Sequence, residues 1–208
     1  MAIFRSNEAP PAWCELRAFD ILDLTLNETV DQTRRAPKER LVGTGGTVQI
    51  SFDDRSIVLK ETQFFDLPGE RWRLRACSPR AQLVRLSGKW GNDVGSCGIF
   101  RAANQDQPRD GGDPVAYRKI TSIDRHYHDC DEYWIVLEGA GTVVLDDRHA
   151  AVGVGDCFAI GMGHPHDLPE VSAPVKAVFF ETTLEDRKRV GHLWNHAHGP
   201  AQPKPERA

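Results

Sequence analysis

The chain has 208 residues, 40% hydrophobic and 27% charged, enough to bury one large core or two small ones. Its 26 Lys and Arg against 30 Asp and Glu leave a net charge of −4 with the signs mixed. Basic residues gather only in short clusters such as Arg34-Arg35 and Arg187-Lys188-Arg189, which argues against nucleic acid and anionic membranes as partners.

Taken in chain order, the opening MAIFRSNEAPPAW lacks an apolar signal core, and no later stretch is apolar for long enough to span a bilayer. Cys14, Cys77, Cys97, Cys130 and Cys157 are scattered, odd in number and without a C-x-x-C pair, so reduced thiols in a cytoplasmic protein are expected. The texture is one of short β-type runs separated by turn residues: TVQISF (47–52), SIVLK (56–60), AQLVRL (81–86), YRKITSI (117–123), EYWIVLE (132–138), TVVLDD (142–147), DCFAI (156–160) and VKAVFF (175–180). Runs of this length and spacing predict an all-β sandwich or barrel. Between them, NQDQPRDGGDP (104–114) has the composition of a linker. Helix signals are few. Thr183-Leu184-Glu185-Asp186 resembles a capping box, with Leu184, Val190, Leu193 and Trp194 as an apolar stripe and 185–189 as a solvated charged face. The ending HGPAQPKPERA reads as disordered.

An internal repeat sets the architecture. At a constant offset of 93 residues (132 − 39 = 93), Glu132 falls on Glu39, Gly139 on Gly46, Asp146-Asp147-Arg148 on Asp53-Asp54-Arg55 and Phe158 on Phe65. Apolar positions follow, with Ile135 on Val42, Leu145 on Phe52, Ile160 on Leu67 and Phe179 on Leu86. Two similar β units are expected over 11–103 and 104–195, with a flexible tail over 196–208.

Residues 126–139, HYHDCDEYWIVLEG, carry the chemistry. Strand alternation puts His126 and His128 on one face, Asp129-Cys130-Asp131 lets the chain bend, and Glu132 opens an apolar run that Gly139 stops. Two imidazoles and a carboxylate converging from adjacent strands begin a metal site. Cys130 lies between them, either a ligand or the residue of the bend. Further on, GDCFAIGMGHPH (155–166) is a strand, a glycine-rich turn and two more histidines.

These two stretches resemble the motifs of the cupin superfamily, G-x(5)-H-x-H-x(3,4)-E-x(6)-G and G-x(5)-P-x-G-x(2)-H-x(3)-N. His126, His128, Glu132 and Gly139 match the first, and Gly155, Gly163 and His166 match the second. Ile120, Gly161 and Glu170 stand where the patterns have glycine, proline and asparagine, so His164 is a second candidate beside His166. The resemblance implies two tandem jelly-roll β-barrels with few short helices, a bicupin. It also implies one divalent transition metal (Fe, Mn, Ni or Zn) held by His126, His128, Glu132 and His166.

At the offset of 93, His126 falls on Thr33, His128 on Arg35 and His166 on Arg73, while Glu39 remains. Two guanidiniums exclude a cation, so the first barrel is expected to be metal-free, with Arg35 or Arg73 paired to Glu39. Trp134, Ser122 and Asp124 share the inward parity of the ligands and are expected at the substrate pocket. A ligating carboxylate can also loosen one oxygen and take a substrate proton, which gives Glu132 a catalytic role. The C-terminal His192, His196 and His198 imitate a metal-binding helix but lack an obvious acidic partner. By the resemblance, the function is that of a metal-dependent enzyme acting on a small oxygen-rich molecule, first a non-haem dioxygenase. An isomerase or lyase, or a sensor without turnover, are the alternatives. Apolar residues on both parities of 132–137 are compatible with a homodimer.

Overall fold

A computed structural model describes residues 1–185 and 190–208. Fourteen strands run through the described residues. They are β1 (Ala2–Arg5), β2 (Leu16–Thr25), β3 (Thr29–Thr33), β4 (Lys38–Gly45), β5 (Thr47–Phe52), β6 (Arg55–Lys60) and β7 (Phe64–Asp66), then β8 (Arg71–Ala76), β9 (Arg80–Gly88) and β10 (Cys97–Ala102). The last four are β11 (Glu132–Leu145), β12 (Arg148–Gly153), β13 (Asp156–Ile160) and β14 (His166–Glu181). One short helix, α1 (Asn195–His198), follows. The fold is all-β, with antiparallel jelly-roll sheets.

Two compact units form, residues 16–90 and residues 1–15 with 91–208. The number agrees with the repeat. The boundaries do not fall at 103/104, because β10 pairs along β14 (Ile99 opposite Val178) and β1 pairs along β13 (Ile3 opposite Phe158). Ladder hydrogen bonds outweigh the loop-like composition of 104–114 in deciding where the unit ends. Residues 117–123, expected as a strand, form none. Their apolar alternation is served instead by single bonds from the Ile120 and Thr121 N–H groups to the Pro169 carbonyl.

The unit 16–90 packs two four-stranded sheets, β2-β9-β4-β7 and β3-β8-β5-β6. Its core holds Leu41, Ile50, Leu74 and Leu83, all fully buried, from the inward positions of alternating strands. In the other unit the sheet order is β1-β13-β11-β14-β10, with β12 on β11. Here β11 runs through what β4 and β5 do separately, and β14 through what β8 and β9 do. Register shifts near Glu138 and Ala140 bend β11 as it crosses from one face to the other. Trp134, Val143, Leu145, Phe158 and Leu168 fill its core. The repeat survives in backbone detail: Gly46 and Gly139 both have positive φ (64° and 78°), as do Asp53 and Asp146 (50° and 56°), at the same offset of 93.

The expected helix after Thr183 is not borne out at its ends: Thr183 bridges Val94, and Leu193 bridges Tyr127. Its middle, 186–189, lies outside the described residues. The 196–208 tail makes specific contacts. Tyr127 Oη donates to the Gly199 carbonyl at 2.9 Å, and Arg207 Nη1 meets Asp131 Oδ1 at 3.0 Å. Gly161 is needed for this packing, since a Cβ there would stand 2.0 Å from the Arg207 carbonyl oxygen. Composition alone reads such a segment as disordered because its anchors are single polar bonds rather than apolar periodicity. Among the described residues no helix is long and apolar enough to cross a membrane.

Candidate metal centre

Local backbone geometry aims the candidate ligands. His126 and His166 form an isolated antiparallel bridge, exchanging backbone bonds of 3.2 and 2.9 Å, so their imidazoles leave from facing residues with ring centroids 4.2 Å apart. His128 follows on the same side, and the bend over 129–131 delivers Glu132 to the head of β11. One ligand atom from each of His126, His128, Glu132 and His166 lies within 4.8 Å of all the others. Glu132 Oε2 stands 2.9 Å from His166 Nε2 and 3.3 Å from His128 Nε2. Ligand bonds of about 2.0–2.2 Å to one ion place neighbouring donors about 3 Å apart, which these separations match.

The donor set fits a cation on a second ground. The three histidine Nε2 atoms and Glu132 Oε2 are buried without a hydrogen bond, in residues no more than 3% exposed. Leaving one such atom unsatisfied costs about 1–3 kcal/mol, and four aimed together are relieved by a single shared ion. At two of the histidines the far nitrogen is held. His126 Nδ1 donates to the Asp124 carbonyl (2.8 Å) and His166 Nδ1 to the His164 carbonyl (3.0 Å), so each Nε2 carries the free lone pair. Trp134 Nε1 donates to Glu132 Oε1 at 2.7 Å, which leaves Oε2 as the oxygen facing the cluster.

Electrostatics agree at Glu132 and His126. Burial opposes charge on Glu132, yet the His128 and His166 imidazoles outweigh it and hold the carboxyl well below the usual carboxylate range. Burial, with the neighbouring His166 and His128, pushes His126 well below the ordinary imidazole value, which keeps it neutral and able to ligate. At His128 burial is outweighed by the Glu132 carboxylate, and its value rises.

The cluster gives onto a pocket of about 240 Å³ whose walls include Phe100, Ile123, Trp134 and Phe179. The three residues expected there from sequence, Trp134, Ser122 and Asp124, all line it. Ser122 Oγ donates to Gln105 Oε1 and accepts from the Arg109 N–H, both at 3.0 Å. Of the two candidates, His166 lies in the cluster, while His164 spends Nδ1 on the Asp146 carboxylate and Nε2 on the Lys204 carbonyl, outside it. Cys130 is buried but is no member of the cluster, and burial pushes its thiol far up.

Sequence reasoning missed the apolar walls Phe100, Ile123 and Phe179 and two polar pocket residues. Glu181 lies opposite Glu132 in the β11–β14 ladder, accepts the Ser96 N–H at 2.9 Å, and has its carboxyl raised, chiefly by burial. The end of the run VKAVFFE was its only trace. His192 arrives from the C-terminal segment, its ring stacked on His126 at 3.7 Å between centroids. Its neighbours serve elsewhere: His196 Nδ1 meets Asp113 at 2.7 Å, and His198 Nδ1 accepts the Trp194 N–H at 3.0 Å. His192 and His196 therefore have acidic partners, in Asp124 and Asp113, that the linear sequence hid.

The unit 16–90 answers the same positions differently. Gln32 faces Trp72 in the β3–β8 ladder as His126 faces His166, an offset of 94 (126 − 32 and 166 − 72). The counterparts of the histidines are therefore Gln32, Arg34 and Trp72, one residue from those expected. Neither expected arginine neutralises Glu39 through its side chain. Arg73 pairs with exposed Asp31 and the Arg35 guanidinium with Asp20, though the Arg35 backbone N–H does bond Glu39 Oε1 at 3.0 Å. The partner is Arg85, whose Nε bonds Glu39 Oε2, whose Nη1 bonds Gln32 Oε1 at 2.6 Å, and whose Cζ lies 5.2 Å from the Trp72 ring centroid. One guanidinium thus touches the counterparts of His126, Glu132 and His166. It comes from the β9 position opposite Leu41, where the other unit has Phe179 opposite Trp134.

Known proteins agree with this architecture. The family model described as Cupin domain matches residues 115–181. The uncharacterized protein y4oW of Sinorhizobium fredii is 49% identical over 209 residues, covering 100% of this chain and 96% of that protein. Among solved structures, an IolB-like protein from Salmonella typhimurium aligns with a TM-score of 0.61 at 13% identity, over 95% of this chain and 98% of that one. A mutant of Bacillus subtilis oxalate decarboxylase OxdC aligns at 0.58 and 9% identity, over 89% and 78%. At these identities the structural likeness speaks for the fold alone. The fold, the motif residues and the family match place the chain in the cupin superfamily.

Proposed function

We propose that this is a metal-dependent cupin enzyme acting on a small oxygen-rich molecule, a non-haem dioxygenase in the first reading. The observation that carries the proposal is the convergence of four unpartnered ligand atoms beside an open pocket of about 240 Å³. A structural site would close its remaining positions with further protein ligands, and among the described residues none adds to the four. A divalent ion held here supplies Lewis acidity and, if redox-active, a meeting place for dioxygen and a substrate oxygen.

The chain's own residues do the rest. Phe100, Trp134 and Phe179 give the pocket apolar walls that exclude water around a bound molecule. Glu132, anchored through Oε1, presents Oε2 to the cluster and is the group placed to take a proton from a hydroxyl bound beside it. Glu181, opposite Glu132 across the ladder and with its carboxyl raised by burial, can hold a proton at the same end of the pocket.

Glu181 also favours a second reading, an isomerase or lyase in which Glu132 and Glu181 shuttle a proton. Oxygen uptake by iron-loaded protein on a panel of enediols, β-diketones and catechols separates the two. Uptake with oxygenated product supports the first reading. Rearranged or decarboxylated product without uptake replaces it with the second, and ligand-induced melting shifts without any turnover replace both with a sensor.

A further inference from the structure

We propose that His192 contacts the bound molecule directly, accepting a hydrogen bond from a hydroxyl beside the atom that meets the metal. The substrate class would then be one with two adjacent oxygens, at least one still carrying its hydrogen: a vicinal diol, an enediol or a catechol. The inference rests on the metal pocket proposed above and adds to it a recognition residue from outside the cupin motifs.

Four observations carry it. His192 lines the pocket although it lies 26 residues beyond the last candidate ligand (192 − 166). Its ring lies against His126, 3.7 Å between centroids with the planes 10° apart. Its Nδ1 meets the Asp124 carboxylate at 2.9 and 3.0 Å, while His126 Nδ1 meets the carbonyl of the same residue at 2.8 Å. Asp124 is itself clamped, since Trp194 Nε1 donates to its Oδ2 at 2.6 Å.

Direction follows from these contacts. A carboxylate only accepts, so Nδ1 carries the hydrogen in His192, and in the neutral imidazole Nε2 is then a bare acceptor. Both rings turn Nδ1 to one residue and lie nearly parallel, so the far edge of His192 is offered beside the ligand cluster, in the pocket it lines. The side chain is 44% exposed, so it is not there to fill the core. Asp124 and Trp194 are positioning residues in this arrangement, as a carboxylate and an indole commonly are for a histidine that must hold one tautomer.

The test uses the cobalt(II)-loaded full chain, whose visible spectrum reads ligand binding without any turnover. Two probes are titrated: 4-nitrocatechol, which offers a hydroxyl beside its metal-binding oxygen, and azide, which offers none. In His192→Ala we expect unchanged cobalt content, azide affinity within about twofold, and 4-nitrocatechol binding weakened about tenfold, the worth of one hydrogen bond. His192→Gln, whose amide oxygen can accept, should recover part of that loss. Unchanged 4-nitrocatechol binding in the alanine variant would overturn the proposal. So would an equal loss for both probes, or loss of cobalt, which would make His192 only a shield for His126. Wild-type protein that binds azide but not 4-nitrocatechol overturns the hydroxyl-bearing class. Failure to take up cobalt at all would instead sink the metal pocket itself.

Discussion

Arg85→Met tests whether a guanidinium stands in for the ion in the unit 16–90. Arg85 and Glu39 are 4% and 2% exposed, so removing the guanidinium leaves a carboxylate in the core with one remaining partner, the Arg35 N–H. It also removes the bonds to Gln32 and to the Thr33 carbonyl. Breaking a buried pair on one side costs about 3–5 kcal/mol, which raises the opening equilibrium of the unit about 10²–10⁴-fold. Amide hydrogen exchange over β4 and β9, read by mass spectrometry on the full chain, should speed up by that order. Metal content should not change, since the candidate ligands belong to the other unit. The double variant Arg85→Met, Glu39→Met should cost less than Arg85→Met alone, because no charge is then stranded. A single-variant cost under about 1 kcal/mol, or a double cost equal to the sum of the two singles, would refute the reasoning.

Three further outcomes are expected. Trp134→Phe removes the bond that fixes Glu132 Oε1, and equilibrium dialysis should show metal affinity lower by about 10–100-fold with the fold retained by circular dichroism. Glu132→Gln should lower turnover more than metal content, measured on the same preparation. Asp113 accepts from the Asn195 and His196 N–H groups; burial opposes its charge, yet these bonds win and its carboxyl is lowered. A lowered carboxyl stabilises above the unfolded value of about 3.9 and the benefit is lost as pH falls through the lower folded value. Exchange protection over 195–201 should therefore persist at pH 5 and fail at more acidic pH, and Asp113→Ala should abolish it already at pH 5.

The parts of this molecule legible in sequence are those written in short-range spacing. His126 and His128 two apart, the bend before Glu132, and the turn before His166 each depend on a few neighbouring residues, and all four side chains converge. The paired turns at Gly46 and Gly139, and at Asp53 and Asp146, made the repeat visible because positive φ restricts residue choice. What stayed hidden depends on contacts between distant segments. The offset slips from 93 to 94 on either side of Glu132, which moved the expected counterparts to Thr33, Arg35 and Arg73 instead of Gln32, Arg34 and Trp72. Arg85 read as one residue of an apolar strand, AQLVRL, and its pairing with Glu39 spans 46 positions. The sheet edges made by β1 and β10 and the ordered C-terminal segment likewise rest on partners 70 or more residues away, as with Trp194 and Asp124. Local periodicity carries no record of such pairings.

Elemental analysis of the purified full chain decides whether His126, His128, Glu132 and His166 hold one divalent ion. About one transition-metal ion per chain is expected after purification or after dialysis against a mixture of iron, manganese, nickel and zinc. His166→Ala should lose nearly all of that ion with an unchanged β-type circular dichroism spectrum. A chain that takes up no metal under these conditions would contradict the claim, as would a His166→Ala variant that keeps its full complement.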